Sequence, residues 1–285
     1  MPKGGGALTR GNYAFALAAV PVGLALFSSC KAFHLASFGN RRRGERWSLY
    51  ACRLLLRTLL RCSFWLTIED EPSEADWDAL IPDESCVVII NHASQFDGFF
   101  FGAMASRNVM ARAKSLMIAK AFKMPLAGTI FKCLGHQPVH FLRDEAGKFS
   151  VDKEKQAPVN AKIRAHVAAG GGVLTFCPEG QINRKDPTKC MAHRRGSFQL
   201  AIDLKLPVYG FTAFGTHDFW PHDCALPGKR ATIVCGLYAV DEWNAKLADG
   251  TAGAVTTADL ALMSQAAMQK SLDAVAAKHA KLAAA

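Results

Sequence analysis

The segment from Asn91 to Phe100, NHASQFDGFF, places a histidine and an aspartate five positions apart, directly after the apolar run CVVII. Residues five apart on a regular helix point about 140° away from each other, because each residue turns the helix by about 100°. His92 and Asp97 can therefore meet only where the chain bends between them. In that arrangement the carboxylate accepts a hydrogen bond from one ring nitrogen, and the other nitrogen is free to act as a base.

This spacing has two interpretations. A histidine base without a partner serine or cysteine suits reactions in which the substrate brings the hydroxyl or water that is activated. In the alternative, Asp97 only caps a helix: with Ser94 as the N-cap it is the third helical residue, near the positive end of the helix dipole. The spacing alone does not decide between a catalytic pair and a capped helix.

The stretch TFCPEGQINR, from Thr175 to Arg184, is the second segment with residues suited to chemistry. A short apolar strand leads into a loop that contains Pro178, Glu179 and Gly180. In such a loop proline restricts the turn, and glycine allows the backbone to approach a ligand closely.

The elements that position both segments alternate between strand-like and helix-like patterns. This alternation predicts an α/β domain with a mostly parallel sheet flanked by helices. Both segments follow strands, and α/β proteins tend to place their sites at the carboxyl ends of strands. The predicted strands are Ser85–Ile90, Gln137–Phe141, VLTF from Val173, Pro207–Phe214 and Ala231–Val240. The predicted helices are Gln95–Arg107, Ala119–Phe131, Val159–Ala169 and Thr257 to about Lys281.

Together these segments resemble the glycerolipid acyltransferases, the family that includes the 1-acylglycerol-3-phosphate acyltransferases. NHASQFD resembles the family's NHxSxxD block, and FCPEG resembles its FPEGTR block. LGHQPVHFLRD, from Leu134 to Asp144, resembles the glycine-to-arginine block, and LKLPVYGF, from Leu204 to Phe211, the late proline block. The four blocks occur in the family's order and cover roughly 87–214.

The resemblance implies an acyl-CoA donor and a glycerol-type alcohol acceptor, with acyl-CoA as co-substrate and no cofactor. It assigns His92 as the general base and Asp97 as its orienting partner. It also makes Arg143 a phosphate-binding arginine, and Glu179 and Gly180 residues that shape the acceptor site. The expected reaction acylates the free hydroxyl of lysophosphatidic acid and gives phosphatidic acid. Glycerol 3-phosphate and a lysophospholipid with a larger headgroup are the alternative acceptors.

The chain departs from the family pattern directly after PEG. Gln181 and Ile182 stand where the family usually has Thr-Arg, and the next arginine is Arg184. Either Arg184 binds the same phosphate from a longer loop, or the acceptor differs. For Glu179 the alternative is a structural loop carboxylate, and for Arg143 it is a surface ion pair with a neighbouring acid.

Two further interpretations belong to other functional classes. One is a thiol hydrolase that uses Cys177 with His92. The other is a non-catalytic basic module that binds membranes or nucleic acid. Nucleic acid is not expected as a partner, because no aromatic-basic RNA motif is present.

The nine cysteines are scattered without CxxC spacing, which predicts free thiols and no metal site. The oligomeric state is not predicted.

The composition and the N-terminal region indicate that the protein associates with a membrane. The chain has 285 residues, with 34 Lys and Arg against 24 Asp and Glu, and a formal net charge of +10, which favours anionic partners. Residues 11–30 carry no charge and are long enough as a helix to cross a bilayer. Residues 1–34 are therefore predicted to be a membrane anchor, and the basic residues after it predict a cytosolic catalytic domain. A cleaved signal peptide is the alternative.

Residues 35–70 are predicted to form a basic amphipathic helix at the membrane interface, followed by the acyltransferase domain at 71–285. On a helix, Arg46, Arg53, Arg57 and Arg61 share one narrow stripe. This stripe is expected to face lipid phosphates. The alternative is an amphipathic helix that packs on the domain with its arginines in solvent.

Overall fold

A seven-stranded, mostly parallel sheet forms the centre of the protein, whose computed structural model describes residues 7–143 and 149–284. The strands are β1 (Leu66–Glu69), β2 (Cys86–Ile90), β3 (Ala113–Ile118), β4 (Gln137–Val139), β5 (Phe141–Arg143), β6 (Phe149–Val151), β7 (Val173–Phe176), β8 (Val208–Phe214) and β9 (Ala231–Ala239). The order in the large sheet is β1-β9-β8-β2-β7-β3-β4. Within it β8 and β9 pair antiparallel, whereas β5 and β6 form a separate two-stranded antiparallel sheet.

Helices cover both faces of this sheet, which confirms the predicted fold class. They are α1 (Arg10–Ala36), α2 (Arg41–Cys62), α3 (Glu74–Leu80), α4 (Asp97–Met104), α5 (Arg107–Arg112), α6 (Ala127–Cys133), α7 (Lys153–Ala168), α8 (Gln199–Asp203), α9 (Thr216–Phe219), α10 (Asp241–Ala248) and α11 (Thr257–Ala284). One apolar cluster joins α1, α2 and α4 to the sheet, and a second lies under α7, α10 and α11.

The register of β2 determines where the site forms. All five residues of β2 are buried, and the strand pairs in parallel with β7 on one side and β8 on the other. Ile89 lies beside Phe176, and Ile90 lies beside Phe211. The segments that follow β2, β7 and β8 therefore leave the sheet at the same edge, because parallel strands end together.

Several predicted elements have different bounds in the structure. The helix predicted for 95–107 is two helices, α4 and α5, because Ala105 is extended and the Ser106 side chain caps α5 by accepting a hydrogen bond from the Val109 N–H. Strand β3 was not predicted. Its second residue, Lys114, is a buried cation paired with Glu45, so its apolar pattern is interrupted.

Helix α1 lies along the domain rather than projecting away from it. Near its beginning, Asn12 Nδ2 donates to the Leu226 and Pro227 carbonyls at 2.9 and 3.0 Å. Near its end, His34 Nε2 donates to the Cys133 carbonyl at 2.8 Å. Between these contacts α1 is apolar: Phe15, Leu26 and Cys30 pack in the core, whereas side chains such as Leu17 and Val20 are exposed. By length and composition this helix could cross a membrane.

Helix α2 turns part of its basic stripe toward the domain. Arg53 pairs with Glu74 and donates from Nε to the Ala105 carbonyl at 2.6 Å, and Arg57 pairs with Glu71. The prediction that the whole stripe faces lipid phosphates is therefore wrong for Arg53 and Arg57. Acidic residues before and within α3, together with carbonyls at the C-terminal end of α4, give these guanidinium groups partners within the protein.

Candidate active site

His92 and Asp97 meet in a tight turn at the carboxyl edge of the sheet. The preceding residue, Asn91, continues the strand pairing through its side chain, which accepts from the Ala213 N–H at 2.9 Å and donates to the Ala213 carbonyl at 3.1 Å. The chain then bends, and His92 Nδ1 lies 3.1 Å from Asp97 Oδ2. Nδ1 donates in this contact when Asp97 is ionised. Nε2 of His92 has no hydrogen-bond partner among the residues that the structure describes.

Asp97 is the first residue of α4, not the third as the Ser94 cap predicted. Its carboxylate is 1% exposed and also accepts the Ser94 N–H, at 2.7 Å, and the Thr216 hydroxyl, at 2.6 Å. The N-cap of α4 is Phe96 and no side chain caps the helix, so the helix-capping interpretation is wrong. The Asp97 carboxylate instead accepts the Ser94 N–H in the turn before the helix and contacts the imidazole.

Glu179 links its own loop, which follows β7, to the His92–Asp97 turn. Its buried carboxylate accepts the backbone N–H of His92 at 2.8 Å and that of Met191 at 3.0 Å. Burial raises the pKa of Glu179, and the two N–H donors oppose that rise. The contacts of this side chain thus agree with the loop-carboxylate interpretation, and they fix the backbone of the histidine itself.

Gly180 allows the loop after Glu179 to turn sharply. Its φ is +68°, and a Cβ at this position would lie 2.1 Å from Arg194 Nε. Arg194 closes the turn from the other side, because its backbone N–H donates to the Pro178 carbonyl at 2.8 Å. The backbone conformation would strain a side chain at position 180, and the Arg194 side chain would have to move to make room for it.

Arg184 lies on the exposed surface of the loop that lies against His92. The residue before it, Asn183, donates its backbone N–H to the His92 carbonyl at 2.7 Å. The Asn183 side chain also holds the loop, donating to the Asp186 and Lys189 carbonyls at 2.7 and 2.5 Å. Arg184 has no ion pair among the described residues, so its charge is available to a ligand.

Arg143 is the last residue of β5, but its side chain lies outside the described part of the structure. The phosphate-binding role that the resemblance implies for it therefore stays a prediction. Residues 144–148, which include the acids proposed as its alternative partners, also lie outside the described residues.

The environment of Cys177 argues against a thiol hydrolase. Burial raises the pKa of this thiol well above its ordinary value, and the nearby Asp97 and Glu179 carboxylates raise it further. The thiol therefore stays protonated at neutral pH, whereas a nucleophilic cysteine must be a thiolate. Among the described residues no group of three or more His, Cys, Asp or Glu side chains could hold a metal ion.

Sequence patterns did not identify two residues that contact the His92–Asp97 turn, Thr216 through its side chain and Asn183 through its backbone N–H. Thr216 is 119 positions from Asp97, and Asn183 is 91 positions from His92. A threonine after a strand and an asparagine in a loop are common in any chain. Only the order of the strands brings them to the turn.

Comparison with known proteins supports the resemblance to acyltransferases. The model of the Acyltransferase family matches residues 72–213, a range that contains all four sequence blocks. The crystal structure of the 1-acyl-sn-glycerophosphate (LPA) acyltransferase PlsC from Thermotoga maritima has a similar fold, with a TM-score of 0.58 and 12% sequence identity. The alignment covers 80% of this chain and 84% of that chain. Comparison with curated protein sequences gives no match.

Proposed function

Because the chain belongs to the glycerolipid acyltransferase family and is an acyltransferase, we propose that it acylates 1-acyl-sn-glycerol 3-phosphate with acyl-CoA, giving phosphatidic acid. The contact between His92 Nδ1 and Asp97 Oδ2 carries this proposal, because Nε2 of the imidazole then remains as the base and has no hydrogen-bond partner among the described residues. Because the family consists of acyltransferases, the alternative interpretation as a non-catalytic basic module has no support.

In the proposed reaction His92 first accepts a proton and then donates it. Nε2 takes the proton from the acceptor hydroxyl as its oxygen attacks the thioester carbonyl carbon. The carbon–sulfur bond then breaks, and the coenzyme A sulfur leaves with the proton from Nε2. Asp97 remains ionised throughout and stabilises the imidazolium. The thioester is already activated, so neither an acyl-enzyme nor a cofactor is required.

The proposed phosphate contacts come from Arg143 and Arg184. A guanidinium group presents two parallel N–H donors to a phosphate, and the exposed Arg184 follows the residue that binds the His92 carbonyl. Because the usual Thr-Arg after PEG is replaced by Gln181 and Ile182, glycerol 3-phosphate and lysophospholipids with larger headgroups remain the alternative acceptors.

We also propose that the enzyme works at an anionic membrane surface with its catalytic domain in the cytosol. The exposed apolar side chains of α1 support this, and so does the start of α2, where exposed Arg42, Arg43 and Arg46 lie with Trp47 and Tyr50. Arg43 lies over the Trp47 ring and Arg46 over the Tyr50 ring. Arginine beside interfacial aromatic residues is typical of headgroup contact.

The experiment that tests the reaction is coenzyme A release by the purified, detergent-solubilised protein. The acceptor panel contains lysophosphatidic acid, glycerol 3-phosphate and lysophospholipids with choline or ethanolamine headgroups. Release with lysophosphatidic acid should fall by about 10³-fold in His92→Ala, because general-base catalysis contributes roughly 10²- to 10⁴-fold. Cys177→Ala is the control and should retain most activity. An active His92→Ala enzyme with an inactive Cys177→Ala enzyme would overturn the proposed base.

A further inference from the structure

The two oxygens of the Asp97 carboxylate have different partners. Oδ2 contacts His92 Nδ1 and the Ser94 N–H, which both belong to the same turn. Oδ1 accepts the hydroxyl of Thr216 at 2.6 Å, and this donor comes from a distant part of the chain. Asp97 is 1% exposed and Thr216 is fully buried, so bulk water does not replace a lost donor at Oδ1. A buried carboxylate oxygen without a donor is costly.

The position of Thr216 is itself tightly determined. Gly215 before it has a φ of +101°, and a Cβ there would lie 2.0 Å from the Thr232 carbonyl oxygen of β9. Thr216 opens the short helix α9, and its carbonyl accepts the Trp220 N–H at 3.0 Å. The Trp220 carbonyl in turn accepts the Ser94 hydroxyl at 3.1 Å. Helix α9 is therefore joined to the His92–Asp97 turn at both of its ends.

We infer that Thr216 is a positioning residue for acyl transfer, acting through Asp97. Its hydroxyl fixes the rotation of the carboxylate, and the carboxylate fixes the imidazole with Nε2 toward the substrates. This inference rests on the proposed function of the His92–Asp97 pair. Thr216 exchanges no proton with the substrates; its own hydroxyl proton stays in the bond to Oδ1. Without that bond the Asp97 carboxylate can rotate, so the imidazole spends less time in the productive orientation. This lowers kcat rather than the affinity for substrates.

The test compares substitutions at two buried threonines of one segment. Thr216→Val keeps the side-chain shape and removes the hydroxyl, whereas Thr216→Ser keeps the hydroxyl. Thr212→Val is the matched control: Thr212 is also fully buried, but its hydroxyl contacts the Ser271 hydroxyl at 2.7 Å, on α11. Thermal unfolding of each variant identifies loss of folding, and Thr216→Ala replaces Thr216→Val if the valine variant does not fold.

The expected result is a fall in kcat of about 10- to 100-fold in Thr216→Val, the range that a misplacement of about 1 Å produces. KM for both substrates should stay within about threefold. Thr216→Ser should restore most of kcat, and Thr212→Val should resemble the wild type. Equal kcat values in Thr216→Val and Thr212→Val, or no recovery in Thr216→Ser, would overturn the inference.

A double substitution determines whether Thr216 acts through Asp97. In an Asp97→Ala background, Thr216→Val should lower single-turnover coenzyme A release no further, because the group that it positions is gone. An additional drop equal to that in the wild-type background would overturn the inference. The proposed function fails separately, when the wild-type protein releases no coenzyme A with any acceptor. If both the wild-type enzyme and Thr216→Val are fully active, only the role of Thr216 is refuted.

Discussion

At the scale of single residues, the candidate site is held largely by contacts to backbone groups. Glu179 accepts two backbone N–H groups, and Asn183 donates to the His92 carbonyl. The backbone of His92 is thereby held through both its N–H and its carbonyl. These contacts restrict the histidine before any substrate binds, a form of preorganisation that suits the acyl transfer proposed for it.

Gly180→Ala is expected to destabilise the protein and to lower its activity. The added Cβ would lie 2.1 Å from Arg194 Nε at a φ of +68°, and an L-residue in that conformation costs about 1–2 kcal/mol. Urea denaturation and coenzyme A release measure the two effects. Gly196→Ala is the matched control, because a Cβ at that position would meet nothing within 4 Å. Equal losses in the two variants would contradict this account of the loop.

At the scale of elements, helix α2 shows that periodicity can place arginines on one face of a helix without predicting what that face contacts. Arg53 is 9% exposed and contacts the carbonyl of Ala105 after α4 and the carboxylate of Glu74 on α3. Arg61, near the end of the same helix, is exposed. The periodicity correctly groups these arginines on one face. The direction of that face depends on the acidic side chains and carbonyl groups that other segments bring to it.

Arg53→Gln is therefore expected to lower stability rather than to weaken membrane binding alone. The substitution leaves the Ala105 carbonyl and the Glu74 carboxylate without their cation, a loss of about 1–3 kcal/mol. Arg61→Gln is the control on the same helix and should unfold at the wild-type temperature. The measurement is thermal unfolding in detergent. If both variants match the wild type, the Arg53 contacts do not stabilise the fold.

At the scale of the whole molecule, α1 forms an apolar surface beside the catalytic domain. Leu17 is 76% exposed and Val20 is 62% exposed, and exposed apolar side chains of this kind suit the membrane contact proposed above. The double substitution Leu17→Ser and Val20→Ser is expected to weaken binding to vesicles of anionic phospholipid by at least about tenfold, because each buried side chain contributes about 2 kcal/mol. Co-flotation measures binding. Leu262→Ser on α11 is the control at a similarly exposed leucine, and an equal loss in it would contradict this assignment.

The stability of the whole molecule should also depend on the buried His193 and the half-buried His136. Burial lowers the pKa of His193 to about 4 and that of His136 to about 3, from an ordinary value of 6.5. Between these values and 6.5 the unfolded chain binds more protons than the folded one. The stabilisation from the neutral rings is therefore complete above pH 6.5 and is lost as the pH falls.

The free energy of unfolding should thus be lower at pH 5 than at pH 7.5, by about 2 kcal/mol for each histidine. Urea denaturation at both pH values measures this difference. His193→Gln keeps a hydrogen-bonding side chain near Ser264 but does not titrate, so its difference between the two pH values should be smaller than that of the wild type. The same pH difference in both proteins would show that His193 does not contribute.

The sequence by itself determined the α/β class, the strands β2, β7, β8 and β9, and the two motif loops that follow β2 and β7. These features follow from short-range patterns: apolar runs, helix periodicity, and turn residues at fixed spacing. Only the tertiary structure decided that Thr216 contacts Asp97, that Asn183 contacts His92, and that Arg53 faces the domain. The physical reason is that each contact joins segments far apart in the chain, and the strand order that brings them together is not encoded in any local pattern.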